Sequence, residues 1–166
     1  MSNAAVLSPA SSRPAHALAA KQGESVWFLD NLLTVKADKG HGAQFGVLES
    51  RMPAGSHTPF HVHDGEDEAF YVLSGSLTVI LDEGRRVELG KGSYMHIPRG
   101  TAHGFVTHSE VEMLVLCGTD GFIEMAREAG APAERQELPP AGPPDLERLA
   151  AACERHQIRI LGPLPE

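Results

Sequence analysis

Between Val26 and Gly118 apolar and polar residues alternate in short runs, broken roughly every 8–12 residues by glycine or a polar turn. A period of two with frequent breaks is the pattern of antiparallel strands that bury one face. It predicts strands at Leu32–Ala37, Gln44–Met52, Ala69–Leu73, Ser76–Leu81, Arg86–Leu89, Ser93–Ile97, Gly104–His108 and Glu112–Cys117. Strands of this number close an all-β barrel. Ser74-Gly75, Asp82-Glu83-Gly84 and Leu89-Gly90-Lys91-Gly92 carry turn residues and read as hairpins of an antiparallel meander. Pro98-Arg99-Gly100 ends a strand, because proline has no N–H for a ladder and glycine frees the next backbone position.

Past Cys117 the apolar spacing lengthens to three and four. Asp120 stands where it would cap a helix from Gly121 to Ala129, with Phe122, Met125, Ala126 and Ala129 on one face and Gly130 as its stop. Leu138–Pro144 reads as a linker. Asp145 then caps a second helix, Leu146 to His156, whose stripe is Leu146, Leu149, Ala150 and Cys153, and a short strand at Ile158–Leu161 ends at Gly162-Pro163. These pieces are too short to bury a core of their own, so they are expected to cover the barrel. The expected division is a flexible N-terminal arm at 1–24, a barrel at 25–118, and C-terminal helices and a short strand at 119–166 packed on it.

Composition narrows the function classes. A length of 166 residues suits one domain, and 42% hydrophobic with 22% charged residues suits a globular core. Net charge is −8 and no basic cluster exceeds Arg85-Arg86, which argues against nucleic-acid binding. Apolar runs such as Met113–Cys117 fall far short of the ~20 residues needed to cross a bilayer. Residues 2–20 lack a basic start followed by an apolar segment, so a cytoplasmic protein is expected. Cys117 and Cys153 are too few for a disulfide scaffold and read as buried, reduced thiols.

Candidate chemistry gathers at four positions. His61 and His63, two apart in an extended stretch, project to one face as a chelating pair. The polar turn Asp64-Gly65-Glu66-Asp67 lets the chain reverse and bring Glu68 beside them, and His103 follows the Pro98-Arg99-Gly100 turn. Three imidazoles and a carboxylate suit one divalent transition-metal ion (Ni, Mn, Fe, Co, Cu or Zn) rather than Ca or Mg. Glu68 also has the chemistry of a general base. Burial would raise its pKa and a metal would lower it, and the sequence leaves open which prevails. Glu66 and Asp67 read as solvated loop charges, and His16, His41, His57, His96, His108 and His156 as surface or turn residues. If Glu68 and His103 point inward, alternation turns Phe70, Val72 and Phe105 inward too, as a substrate-binding wall; core packing explains the same positions equally well.

Gly55, five residues, His61-x-His63, four residues, Glu68, six residues and Gly75 resembles the first cupin motif, while Gly92, Pro98, Gly100 and His103 resemble the second. Thr107 stands where the family often has Asn, at a position that is not a ligand. The resemblance implies a cupin double-stranded β-helix (jelly-roll barrel), the metal ligands His61, His63, Glu68 and His103, and a homodimer.

Within the cupins the chain looks like quercetin 2,3-dioxygenase-like proteins. The carrying residues are Trp27-Phe28-Leu29, Leu33–Ala37, Glu66–Leu73, Gly121–Glu124 and Ile158–Pro163. That likeness implies a flavonol or related enolic aromatic substrate, Glu68 taking its acidic proton, and dioxygen cleaving the ring with loss of carbon monoxide. A fold shared among many reactions leaves two alternatives: an oxygen-independent isomerase, cyclase or decarboxylase, and a non-catalytic small-ligand-binding cupin.

Overall fold

The computed structural model describes residues 15–166; the first fourteen residues of the expected N-terminal arm lie outside them. In chain order the elements are β1 (Ser25–Phe28), β2 (Asn31–Ala37), β3 (Gly46–Met52), β4 (Phe60–His63), β5 (Glu68–Ser74), β6 (Ser76–Leu81), β7 (Arg86–Gly90), β8 (Tyr94–Ile97), β9 (His103–Thr107), β10 (Val111–Cys117), α1 (Gly121–Ala129), β11 (Ala131–Pro132), α2 (Leu146–Arg155) and β12 (Ile158–Gly162). Two sheets form, ordered β11-β1-β2-β3-β10-β5-β8 and β12-β4-β9-β6-β7. All pairings are antiparallel, and the architecture is a jelly roll with a small helical part. Alternate residues of both sheets, among them Leu33, Leu48, Met52, Val72, Leu77, Val79 and Met113, are buried in the core between them.

The eight expected strands are present with ends moved by one or two residues. The meander is not. Of the three turns read as hairpins, only Asp82–Gly84 joins paired strands, β6 and β7. Ser74-Gly75 carries the chain from β5 in the first sheet to β6 in the second, and Gly90-Lys91-Gly92 carries it back to β8. Local turn chemistry dictates a reversal, but partners distant in sequence decide which sheet receives the next strand: β5 pairs with β10 and β6 with β9. Gly75 is the tightest of these crossings. Its φ is +79°, and a Cβ there would lie 2.1 Å from the Glu110 carbonyl oxygen. Gly75→Ala is therefore expected to cost about 1–3 kcal/mol, read as a lower urea midpoint. An unchanged midpoint would mean that the crossing relaxes freely.

Three strands escaped the pattern. β1, between β2 and the two-residue edge strand β11, has only four residues, and β4 has four between Pro59 and a polar turn, too few to show a period. Residues 15–24 run beside β2: Val35 N–H donates to the Glu24 carbonyl, and the His16 ring stacks on His41 at 4.7 Å.

At the C-terminus α1 spans the expected residues, but Asp120 makes no side-chain cap. Gly130 ends the helix in an extended rather than left-handed conformation. It is required there because a Cβ would meet the Trp27 carbonyl oxygen at 2.6 Å. Asp145 does cap α2, accepting from Arg148 N–H at 3.0 Å. The buried face of α2 is Leu149, Ala152 and Cys153, whereas Leu146 and Ala150 are exposed, because contact with α1 and β12 selects a face rotated from the one read in sequence. β12 pairs with β4, placing Ile158 opposite His63 and Ile160 opposite His61. Cys117 and Cys153 are buried free thiols, and among the described residues no helix is long and apolar enough to cross a membrane.

Candidate metal centre

Both sheets contribute to one cluster. In the second sheet, β4 presents His61 and His63 on the same side, and β9 opens with His103 directly opposite His61. From the first sheet comes Glu68, the first residue of β5. One potential ligand atom from each of the four lies within 4.8 Å of the others. His63, Glu68 and His103 are 3%, 5% and 1% exposed, so water does little to screen them.

Hydrogen bonds fix which ring nitrogens face inward. His61 Nδ1–H donates to the Pro59 carbonyl at 2.8 Å and His103 Nδ1–H to that of Thr101 at 3.0 Å. A carbonyl only accepts, so in the neutral rings Nε2 carries a lone pair. His103 Nε2 is 3.1 Å and His63 Nε2 3.9 Å from the same oxygen, Oε2 of Glu68. Lone pairs turned on a carboxylate in a buried site repel unless a proton or a metal cation sits among them. The donor set therefore fits a divalent transition-metal ion.

Without a metal, protons have to balance the charge. Burial pushes the Glu68 carboxyl up, but the charge of His63 and the hydrogen bond from His103 outweigh it and hold the carboxyl at about 2. Burial presses His61 down to about 3, helped by repulsion from His103 and His63. Burial also opposes charge on His63, yet Glu68 and Glu66 overcome it and raise that ring. In the metal-free cluster it is the neighbouring histidines that favour the Glu68 carboxylate over its protonated form.

The cluster forms one wall of an apolar cavity of about 70 Å³. Phe70 and Phe105 line it edge to face, with centroids 6.1 Å apart, and Phe28, Phe122 and Ile160 also belong to its lining. Val72 is fully buried in the core and is not part of the lining. Its neighbour Phe70 reaches the cavity because it stands next to Glu68 on the inward face, while Val72 lies one step further along the strand. Phe28, Phe122 and Ile160 were not legible as lining, since their elements meet the barrel mouth only through tertiary packing.

Glu66 overturns its sequence reading. It is 4% exposed, and its carboxylate accepts from Thr119 N–H at 3.1 Å, Thr119 Oγ1–H at 2.9 Å and Phe122 N–H at 2.6 Å, taking the capping role expected of Asp120. No local signal links an acid in this turn to a helix more than fifty residues onward. Asp67 is exposed, as expected, and accepts from Arg99 N–H and His96. Of the six remaining histidines five are exposed; His156 is half-buried, 3.0 Å from Glu128.

Comparison with known proteins agrees with this geometry. The family described as "Cupin domain" matches residues 48–118. Quercetin 2,3-dioxygenase of Bacillus subtilis (strain 168) is 30% identical over 144 residues, covering 81% of this chain and 42% of that protein. An uncharacterized protein of Methanocaldococcus jannaschii is 32% identical over 76 residues, covering 46% of this chain and 60% of its own length. The chain thus spans less than two thirds of either relative. In fold it is similar to ectoine synthase from P. lautus, with a TM-score of 0.56 at 14% identity, covering 74% of this chain and 87% of that one.

Proposed function

Since residues 48–118 make this chain a member of the cupin superfamily, we propose that it is a metal-dependent dioxygenase of the quercetin 2,3-dioxygenase type, acting with O2 on a flavonol or related enolic aromatic substrate. The observation that carries this reading is the three-histidine, one-glutamate cluster set in the wall of a phenylalanine-lined cavity. The 30% identity to the Bacillus subtilis enzyme supports it.

A divalent ion held by His61, His63, Glu68 and His103 would supply Lewis acidity and, where redox-capable, a route for electrons to dioxygen. Glu68 takes the enol proton on its carboxylate, leaving an electron-rich substrate anion. Proton removal by a carboxylate needs an acidic substrate proton, which an enol on an aromatic ring supplies better than an alcohol. Phe70 and Phe105 pack on the ring, and Leu149, Cys153, Ile158 and Ile160 of the C-terminal cover keep water out. Oxygen uptake on quercetin tests the reading. Uptake is expected with Mn, Fe, Co, Ni or Cu and none with Zn, and no uptake with any ion would refute it.

The small cavity favours a second reading. About 70 Å³ is little beside the roughly 300–1,000 Å³ of common small-molecule pockets, so a three-ring flavonol requires α2 and β12 to give way. A smaller enolisable substrate, converted without oxygen by isomerisation, cyclisation or decarboxylation, fits with less movement. Product formed under anaerobic conditions would select this reading, and ligand binding with no product under any gas would select a binding protein.

Two further points belong to the same proposal. The buried free thiols suit a reducing, cytoplasmic setting. Tyr71, Leu73, Tyr94 and Leu116 form an exposed apolar face on β5, β8 and β10, which suits a homodimer. Sedimentation is expected to give a dimer that Tyr94→Glu with Leu116→Glu converts to monomer, and a monomeric wild type would contradict it.

A further inference from the structure

We infer that Glu66 is a positioning residue of the metal centre, steadying the outer nitrogen of His63 while anchoring the N-terminus of α1, so that metal loading and the seating of α1 are coupled. This inference rests on the metal-binding reading above.

The three imidazoles are not held alike. His61 and His103 turn Nδ1 to backbone carbonyls two residues upstream. His63 Nδ1 is buried without a hydrogen bond, and the group facing it is Glu66 Oε1 at 3.7 Å. A small rotation as the ring seats on a metal brings that pair within hydrogen-bond range. A histidine ligand that donates its second N–H to a carboxylate is fixed in tautomer and orientation and made a stronger donor.

The same carboxylate holds three donors at the start of α1, from Thr119 and Phe122. Gly121 preserves its space, since a Cβ there would lie 2.9 Å from Glu66 Oε1. Phe122 in turn lines the substrate cavity, its ring 5.9 Å from that of His63. Glu66 therefore joins one ligand, one helix and one cavity wall.

Cobalt(II) titration of metal-free full-length protein by calorimetry, the visible spectrum of the cobalt form, and hydrogen exchange in α1 provide the test. Glu66→Ala is expected to weaken cobalt binding about 10–100-fold and to shift the cobalt bands. Glu66→Gln keeps the shape and one acceptor oxygen, and is expected to recover part of that loss. Cobalt should slow exchange in α1 of the wild type and not of Glu66→Ala. Thr119→Val removes one helix anchor without touching His63; it should lower the urea midpoint and, through the coupling, weaken cobalt binding by less than Glu66→Ala does, with the cobalt bands unshifted. Wild-type affinity and unshifted bands in both Glu66 variants would overturn the inference while leaving the metal site standing. Failure of the wild type to bind cobalt would sink the metal reading itself. Should Glu66→Ala not fold, the near-isosteric Glu66→Gln decides alone: weaker cobalt binding supports the inference and wild-type binding overturns it.

Discussion

Replacing His103 by alanine is expected to abolish the stabilisation that a divalent metal gives the wild-type protein. A ligand at a hundredfold excess over its dissociation constant stabilises a fold by about 2.7 kcal/mol, which in a domain of this size corresponds to a rise of roughly 5–10 °C in Tm. His103 lies at the centre of the cluster: it is opposite His61 across the β4–β9 pair and 3.1 Å from Glu68 Oε2. Without it the remaining ligands come from β4 and the start of β5, and nothing closes the set from β9. Affinity should fall by more than the roughly 10–100-fold that loss of an outer partner costs. The metal-free variant should stay folded, because the apolar core between the two sheets is untouched. Thermal melts with and without metal check both parts, and an undiminished metal shift in His103→Ala would rule out the proposed ligand set.

The second large effect concerns Glu68. Glu68→Gln keeps the shape of the side chain and removes its ability to take a proton. Oxygen uptake on an enolic aromatic substrate is expected to fall by about 10²–10⁴-fold, the usual contribution of a positioned general base. His61, His63 and His103 should still retain metal, more weakly. Uptake and metal content measured on the same sample separate the two roles. A variant that keeps both its metal and its turnover would show that the base lies elsewhere, while one that loses both would make Glu68 a ligand first.

The sequence made the cluster legible for a physical reason. Two histidines at period two need only an extended backbone to share a face, and Glu68 needs only the turn that follows. His103 was reachable because Pro98 and Gly100 mark the end of the preceding strand. What stayed hidden depends on contacts between distant segments. The crossings at Gly75 and Gly92 look like hairpins because a turn does not record which sheet its second strand will join. The apolar stripe of α2 was right at Leu149 and Cys153 and wrong at Leu146 and Ala150, which are as apolar in sequence as the buried Ala152, so that only the packing separates them. Glu66 looked solvated because its partners, Thr119 just before α1 and Phe122 in its first turn, follow the barrel in sequence. Val72 shares an inward face with Phe70, and alternation gives a face without saying how far along it the cavity extends.

Whether His61, His63, Glu68 and His103 hold a metal ion is decided by elemental analysis of protein purified without added metal and without a nickel column, repeated after reconstitution. One divalent transition-metal ion per chain is expected, lost when the four residues are replaced. Protein that remains metal-free after reconstitution, or that keeps its metal without these side chains, would contradict a metal site there.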